Sequence, residues 1–130
     1  MSNKLIKVGE YNTEFNDILG IKLDRLDIYK SKGLIAHLIK RKHDKYIKYI
    51  DCIPDIIQSP DYIGINPNEN NTDSIELIKR YDNNVMIGIK LDGDNKYFYV
   101  ASMYDVSESK IQRRLHSGRI KKYVDIDENK

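Results

Sequence analysis

The stretch from Ser31 to His43 carries histidine and cationic side chains at a spacing that could support chemistry. Its apolar residues recur at helical intervals, which predicts a helix with one buried stripe. His37, Lys40 and Arg41 stand at positions i, i+3 and i+4, so a helix would align them beside that stripe. Histidine titrates near neutral pH, and the planar fork of arginine binds two phosphate oxygens. The stretch therefore indicates a site that holds a phosphate next to a group able to transfer a proton.

The same residues also have readings without catalysis. His37 could be a half-buried histidine that hydrogen-bonds to the backbone, and the lysines could form a solvated face. His43 lies about 240° around the helix from His37, so the two cannot chelate a metal ion from one face. At a helix end His43 is favoured by the macrodipole, which makes it a weaker catalytic candidate than His37. Among the cations, Arg41 is the one that we single out for phosphate binding.

Three residues further along the chain, Lys90, Ser102 and Tyr104, could hydrogen-bond to a phosphate or to an attacking hydroxyl. They lie on two stretches of alternating apolar residues joined by an Asp-Gly-Asp-Asn turn, which predicts a β-hairpin. In a simple register Lys90 and Ser102 face opposite sides, and only an odd loop or a β-bulge would bring them together. We therefore prefer Ser102, which interrupts an apolar face that Tyr104 continues. The alternative for Ser102 is a strand-end residue that only packs.

Basic and aromatic residues supply candidates for contacts with an RNA strand. The cations predicted to contact the RNA backbone are Lys40, Arg113, Arg114, Arg119, Lys121 and Lys122. Tyr97, Tyr99 and Tyr104 could stack on bases, as in proteins that bind single strands, and packing is the alternative for each. Glu76 and Asp61 could pair with an arginine or a histidine of the site.

Length and composition limit the class of protein. The chain has 130 residues, the size of one domain, with 40% hydrophobic residues and a net charge of +2. We expect one domain over residues 1–124 and an acidic, frayed tail at 125–130. No apolar run approaches the ~20 residues that span a bilayer, and the first residues do not read as a signal peptide. The single cysteine, Cys52, excludes an internal disulfide and a zinc site built from cysteines. These features predict a cytoplasmic protein with no membrane association.

The order of predicted elements indicates an α+β fold. Helices are predicted through the first half of the chain as far as Ile57, with residues 26–29 as a short strand or an extended lead. Four strands follow between Tyr62 and Tyr104, and a basic helix is predicted over residues 107–123, with an interruption at Ser117-Gly118. Because helices precede a run of strands, we expect N-terminal helices packed on a four-stranded antiparallel meander sheet, with a C-terminal basic helix.

Five motifs occur in an order that is informative as a set. They are His37 with Lys40-Arg41 and His43, then Pro60-Asp61-Tyr62-Ile63-Gly64, Ser74-Ile75-Glu76-Leu77, Val100-Ala101-Ser102-Met103-Tyr104 and Ser117-Gly118-Arg119-Ile120-Lys121-Lys122. In this order, over most of residues 28–122, the chain resembles the small phage-associated members of the superfamily that joins barnase, EndoU, the colicin nucleases and the RelE toxins. The resemblance implies a metal-independent nuclease without a cofactor, built from helices followed by a four-stranded antiparallel sheet, with RNA as the usual substrate.

The residues and the resemblance together predict a small metal-independent endoribonuclease. His37 would act as acid or base, while Arg41, Ser102 and Tyr104 would hold the phosphate during attack by the 2′-hydroxyl, which leaves a cyclic phosphate. Such an enzyme would serve as a phage-borne toxin or effector, and an inhibitor or immunity protein would be a partner besides RNA. The alternative is a catalytically inactive module of the same fold that binds RNA or protein, or a phage accessory or structural domain.

Overall fold

The computed structural model describes residues 5–31, 33, 34, 36, 44–66 and 74–123. Within these residues one mixed β-sheet is the central element, and short helices pack against it. Its seven strands are β1 Leu5–Glu10, β2 Asp27–Ser31, β3 Tyr62–Ile65, β4 Ser74–Arg80, β5 Asn84–Asp92, β6 Tyr97–Asp105 and β7 Ile120–Lys122. They lie in the order β1-β2-β6-β5-β4-β3-β7, and β2 runs parallel to β6 while all other neighbouring pairs are antiparallel.

The sheet shows that the predicted fold class is wrong. Four strands, β3 to β6, occur where the sequence predicted them, and they pair consecutively. Three further strands enlarge this meander to seven, and the parallel pairing of β2 with β6 makes the sheet mixed. A parallel pairing needs a long crossover and leaves no turn signal between its two strands, so local sequence patterns do not reveal it. The protein is therefore mostly sheet rather than helices packed on a small meander.

Three α-helices and one 3-10 helix lie in the described part of the chain. They are α1 Glu14–Leu19, the 3-10 helix Asp44–Cys52, α2 Ile53–Gln58 and α3 Glu108–Ser117. Gly20 ends α1 with a φ of 71°, as the sequence predicted, and Gly118 ends α3 with a φ of 84°. The interruption predicted at Ser117-Gly118 is therefore the end of the helix, and the helical continuation predicted after it is wrong. After Gly118 the chain instead pairs with the open edge of β3, which offers unpaired backbone groups.

Alternating side chains give the sheet two different faces. On the first, which we call the apolar face, side chains of the sheet pack with the helices of the first half of the chain. The core formed between this face and the helices has fully buried residues that include Phe15, Ile28, Ile53, Ile56, Ile63, Ile75, Leu77, Ile87, Ile89 and Phe98. Each buried side chain of this size contributes about 1.5–3 kcal/mol by leaving water. The apolar face thus supplies most of the hydrophobic core.

The opposite face, which we call the polar face, is only partly covered. There α3 packs through Ile111 on a smaller apolar cluster, which includes Tyr62, Ile78, Met86 and Ile120. The start of α3 is held by Arg80 of β4, whose guanidinium donates to both carboxylate oxygens of Glu108 at 2.6 and 2.9 Å. Towards β6 and β2 the side chains of this face are partly exposed. The polar face therefore offers an accessible surface beside α3.

Gly64 of β3 allows β7 to approach closely. A Cβ atom at this position would clash with the backbone oxygen of Arg119 and lie 2.9 Å from Cγ2 of Ile120. Because a backbone atom cannot rotate away, Gly64→Ala should lower the free energy of unfolding by about 1–3 kcal/mol in urea denaturation. Gly93→Ala is the control, since its Cβ would meet no atom within 4 Å, and it should cost less than about 0.5 kcal/mol. Equal losses in both variants would contradict the packing described for Gly64.

The ion pair between Arg80 and Glu108 makes stability depend on pH in acid. Hydrogen bonds from Arg80, and then from Gln112, lower the pKa of Glu108 from 4.5 to about 2. A lowered pKa in the folded state means that the pair stabilises the fold above about pH 4.5 and loses this contribution as the pH falls towards about 2. Glu108→Gln should therefore be less stable than the parent near neutral pH, and the two stabilities should converge in acid. Urea denaturation across this range measures the difference, and a constant gap would contradict the assignment.

Candidate functional site

Strand β6 contains a β-bulge beside the predicted site. The register with β5 shifts between Gly88 and Ile89, where β6 carries one extra residue, Ala101. An extra residue reverses the alternation of side chains on the strand that carries it. The simple register would have placed Lys90 and Ser102 on opposite faces, whereas the bulge places both on the polar face. A β-bulge was one of the two arrangements expected to place Lys90 and Ser102 on one face, and the structure contains this bulge.

Ser102 belongs to a row of directly paired residues that crosses the polar face. It lies opposite Gly88, Gly88 lies opposite Glu76, and Glu76 lies opposite Gly64. The hydroxyl of Ser102 lies over Gly88, where a Cβ atom would come within 2.7 Å of Oγ. Gly64 and Gly88, on both sides of Glu76, have no side chain. The hydroxyl of Ser102 occupies the space over Gly88, and the backbone of Arg119 occupies the space beside Gly64.

Glu76 is a buried carboxylate, only 2% exposed, near the middle of the sheet. Arg119, between α3 and β7, donates to it twice, from Nε to Oε1 at 3.2 Å and from Nη2 to Oε2 at 2.9 Å. A buried carboxylate needs such a partner, because the lost hydration is otherwise uncompensated. Gly118 makes the contact possible, since its left-handed conformation turns the chain back towards β3. The predicted pairing of Glu76 with an arginine is confirmed.

Tyr104 and Arg114 lie beside this ion pair. Burial of Tyr104 raises the pKa of its hydroxyl and the carboxylate of Glu76 adds to the rise, while Arg114 and Arg119 act in the opposite direction. Arg114 extends from α3, and its Nη1 contacts Sδ of Met86 at 3.7 Å, which holds the guanidinium against the sheet. We call the four groups Glu76, Tyr104, Arg114 and Arg119 the polar cluster. It joins β4, β6, α3 and the turn before β7.

Within the described residues, the other cations predicted to bind RNA lie apart from the polar cluster. Arg113 is exposed on α3, and Lys122 is exposed on β7. Lys121 lies towards the apolar face, where its Nζ donates to the backbone oxygen of Ile18 in α1 at 3.2 Å. The predicted cations that reach the polar cluster are thus the two half-buried arginines.

Four predicted site residues, His37, Lys40, Arg41 and His43, lie outside the residues that the structure describes. The strand before them, β2, runs alongside β6 in the same sheet. In β2, Tyr29 lies opposite Tyr99, both strands run in the same direction, and β2 ends at Ser31. Because Ser102 follows Tyr99 in that direction, the chain leaves β2 at the same end of the strands at which Ser102 lies.

The arrangement is suited to binding an anion at the protein surface. Two guanidinium groups and one phenol converge from three elements, and Ser102 adds a second hydroxyl on the same face. Paired N–H donors of arginine match the oxygens of a phosphate, and in Arg119 the pair formed by Nε and Nη2 already binds Glu76. Among the described residues, no group of three His, Cys, Asp or Glu side chains could hold a metal ion. In the same ranges, no helix is long and apolar enough to cross a bilayer.

A groove of about 680 Å³ lies elsewhere, at the edge of β1 next to α1 and α2. Its walls include Lys7, Glu10, Tyr11 and Arg25, and no member of the polar cluster lines it. Its basic residues already pair with carboxylates, Lys7 with Asp27 at 3.2 Å and Arg25 with Glu10 at 3.7 Å. We therefore base the candidate site on the polar cluster.

Glu76 and Arg114 are more central in the structure than the sequence indicated. From the sequence, Glu76 was expected only as a partner and Arg114 only as one of several contacts with the RNA backbone. A signal for Glu76 was present, because a charged residue interrupts an otherwise apolar strand, and buried carboxylates are rare unless paired. Arg114 carried no comparable signal, since the neighbouring Arg113 has the same type and charge.

Comparison with known families gives a match over most of the chain. A family model described as phage-Barnase-EndoU-ColicinE5/D-RelE like nuclease 3 matches residues 6–113. The matched region runs from β1 into α3 and includes Glu76, Ser102 and Tyr104, whereas Arg114 and Arg119 follow it. No curated protein and no solved structure matches the chain.

A double-mutant cycle can measure the contact of Ser102 with Gly88. Gly88→Ala would place a methyl group 2.7 Å from Oγ of Ser102, so it should lower the free energy of unfolding by about 1 kcal/mol or more. In a Ser102→Ala background the hydroxyl is absent, and the same change should cost less. We expect a coupling energy of at least about 0.5 kcal/mol from urea denaturation of the four proteins. Strictly additive effects would show that the hydroxyl does not lie over Gly88.

Proposed function

Because the chain belongs to the phage-Barnase-EndoU-ColicinE5/D-RelE like nuclease 3 family, we propose that it is a metal-independent endoribonuclease. Membership makes it a phage-associated nuclease-like domain and indicates a nucleic-acid substrate. In the proposed reaction the 2′-hydroxyl of RNA attacks the adjacent phosphorus, the 5′-oxygen leaves, and the product ends in a cyclic phosphate. A phage-borne toxin or effector is the role that suits this activity. An inhibitor or immunity protein would then be a natural partner.

The observation that carries this proposal is the polar cluster beside Ser102. The phosphorane formed during attack has more negative charge than the phosphodiester, so fixed cations stabilise it more than the substrate. Arg119 is fixed in place by two bonds to Glu76, and Arg114 is held against the sheet. Donors that are already oriented need no reorganisation during the reaction. Arg114 and Arg119 are thus our choice for the groups that hold the phosphate.

Tyr104 and Ser102 act as hydrogen-bond donors in this proposal. Because burial raises the pKa of Tyr104, its hydroxyl keeps its proton at neutral pH. It can therefore donate to a phosphate oxygen or to the leaving oxygen, and it is a poor base. Ser102 adds a second donor from the same strand, and Lys90 adds a cation on the same face.

The proton-transfer groups are proposed from the sequence. His37 is our candidate for acid or base, with Arg41 as a further phosphate ligand and His43 as a weaker candidate. The path of β2 supports this assignment, because the strand that precedes these residues ends on the side of Ser102. A histidine suits either role, since its pKa lies near neutral pH.

Cleavage of RNA in excess EDTA tests the proposed reaction. The purified protein should convert total RNA into fragments that end in a cyclic phosphate. Tyr104→Phe keeps the ring and removes the hydroxyl, so it should lower kcat about 100-fold. His37→Ala and Arg41→Ala should lower kcat at least as much. Absence of cleavage by the folded protein, or unchanged rates in all three variants, would contradict the proposal.

A charge-matched pair of variants separates the site from general basicity. Arg114→Gln and Arg25→Gln each remove one positive charge, but Arg25 is an exposed residue that pairs with Glu10 at 3.7 Å. Only Arg114→Gln should lower kcat, again about 100-fold. Salt-dependent binding of RNA without cleavage would instead select the inactive RNA-binding module, and no binding would favour an accessory domain.

A further inference from the structure

Three tyrosines form a partly exposed surface on the polar face, beyond the area that α3 covers. Tyr29 of β2 lies opposite Tyr99 of β6, and Tyr97 precedes Tyr99 by two residues on the same face. The rings of Tyr29 and Tyr97 meet edge to face, with centroids 5.3 Å apart. We call Tyr29, Tyr97 and Tyr99 the tyrosine patch. On the apolar face directly behind it, Tyr11 and Phe98 are fully buried, so the core does not need these three rings.

Two rings of the patch, those of Tyr29 and Tyr97, are anchored through their hydroxyl groups. Tyr29 donates to Asp27 at 3.2 Å, and Asp27 also pairs with Lys7 at 3.2 Å. Asn95, backbone N–H groups of the turn and the hydroxyl of Tyr97 all donate to Asp92, which lowers the pKa of its carboxyl. The two carboxylates beside the patch, those of Asp27 and Asp92, are thus already neutralised or hydrogen-bonded. Anchored rings lose little entropy when a ligand stacks on them.

The patch is continuous with the proposed site. Tyr99 and Ser102 share the polar face because of the bulge at Ala101, and they lie about 10 Å apart along the strand. Lys90 lies directly opposite Tyr99, so a cation stands beside this ring on the neighbouring strand. An RNA strand that passes Ser102 and continues along β6 towards Tyr97 would thus reach Tyr99 with Lys90 beside it.

We propose that the tyrosine patch is a base-stacking subsite for unpaired nucleotides next to the cleaved phosphate, so that the substrate is single-stranded RNA. The proposal rests on the nuclease function proposed above, and it adds the form of RNA that the site accepts. Every base has a π face that can stack on tyrosine, and a neighbouring cation binds the backbone. Bases within a duplex are stacked on one another and cannot reach these rings.

The absence of tryptophan from the chain allows a direct test. Tyr97→Trp introduces a single indole, whose emission a stacked base should quench. The probe is a single-stranded 2′-O-methyl RNA oligonucleotide, which lacks the nucleophile and cannot be cleaved. We expect quenching with this strand and none after it is annealed to its complement. Equal quenching by strand and duplex would overturn the proposal.

Substitutions at Tyr99 separate stacking from folding. Tyr99→Leu removes the π face and should weaken binding of the same oligonucleotide at least about fivefold, while Tyr99→Phe should leave Kd nearly unchanged. Tyr81→Leu, at a tyrosine remote from the patch that stacks on Tyr49, is the control and should bind like the parent protein. Circular dichroism confirms that each variant is folded.

The outcomes distinguish this proposal from the nuclease function. Binding that depends on the ring at Tyr99, in a protein that does not cleave RNA, would support the subsite and overturn the reaction. Cleavage with an unchanged KM in both Tyr97→Leu and Tyr99→Leu would overturn the subsite and leave the reaction intact. Equal losses in Tyr99→Leu and Tyr99→Phe, or no binding of the oligonucleotide by the folded parent protein, would also overturn the subsite.

Discussion

The pairing of Glu76 with Arg119 fixes the arrangement of the polar face. A carboxylate that is 2% exposed must be matched by a cation, and its partner comes from the turn that follows α3. This requirement ties together β4, α3 and β7, which are distant in sequence. Loss of Arg119 alone would leave a buried charge, at a cost of several kcal/mol, whereas an apolar replacement of both residues need not destabilise the fold. Stability alone therefore does not require a charged pair at this position.

The two faces of the sheet differ in what they contribute to the protein. The apolar face buries the large side chains that account for most of the hydrophobic stabilisation. The polar face carries groups that cost free energy to bury, including Glu76 and the half-buried hydroxyl of Tyr104. Departures from a simple apolar pattern concentrate at sites of function in folded proteins. The rigid apolar face holds the positions of donors on the face behind it.

Features that depend on local sequence were predicted, and features that depend on distant pairing were not. Alternating apolar residues placed β3 to β6, and Gly20 placed the end of α1, because these signals act within a few residues. The pairing of β2 with β6 and the short β7 depend on which edges meet, so the predicted fold class was wrong.

The same limit applies to the candidate site. Sequence alone gave the register rule for Lys90 and Ser102 but could not choose between its outcomes, because Ala101 carries no mark of a bulge. It offered an arginine or a histidine as the partner of Glu76, but it showed neither the burial of Glu76 nor the difference between Arg113 and Arg114. Both properties depend on how α3 packs against the sheet, and that packing joins segments that are distant in sequence.

The bulge at Ala101 makes the length of β6 as important as its composition. The residues before it and after it are out of phase by one position, and this offset brings Tyr99 and Ser102 to one surface. Deletion of one residue would exchange the faces of everything that follows, sending Met103 outwards and Ser102 and Tyr104 into the core. Among related chains, substitutions at this position would be easily accepted, while insertions and deletions would be selected against. A one-residue difference in strand length would thus mark relatives in which the surface has a different use.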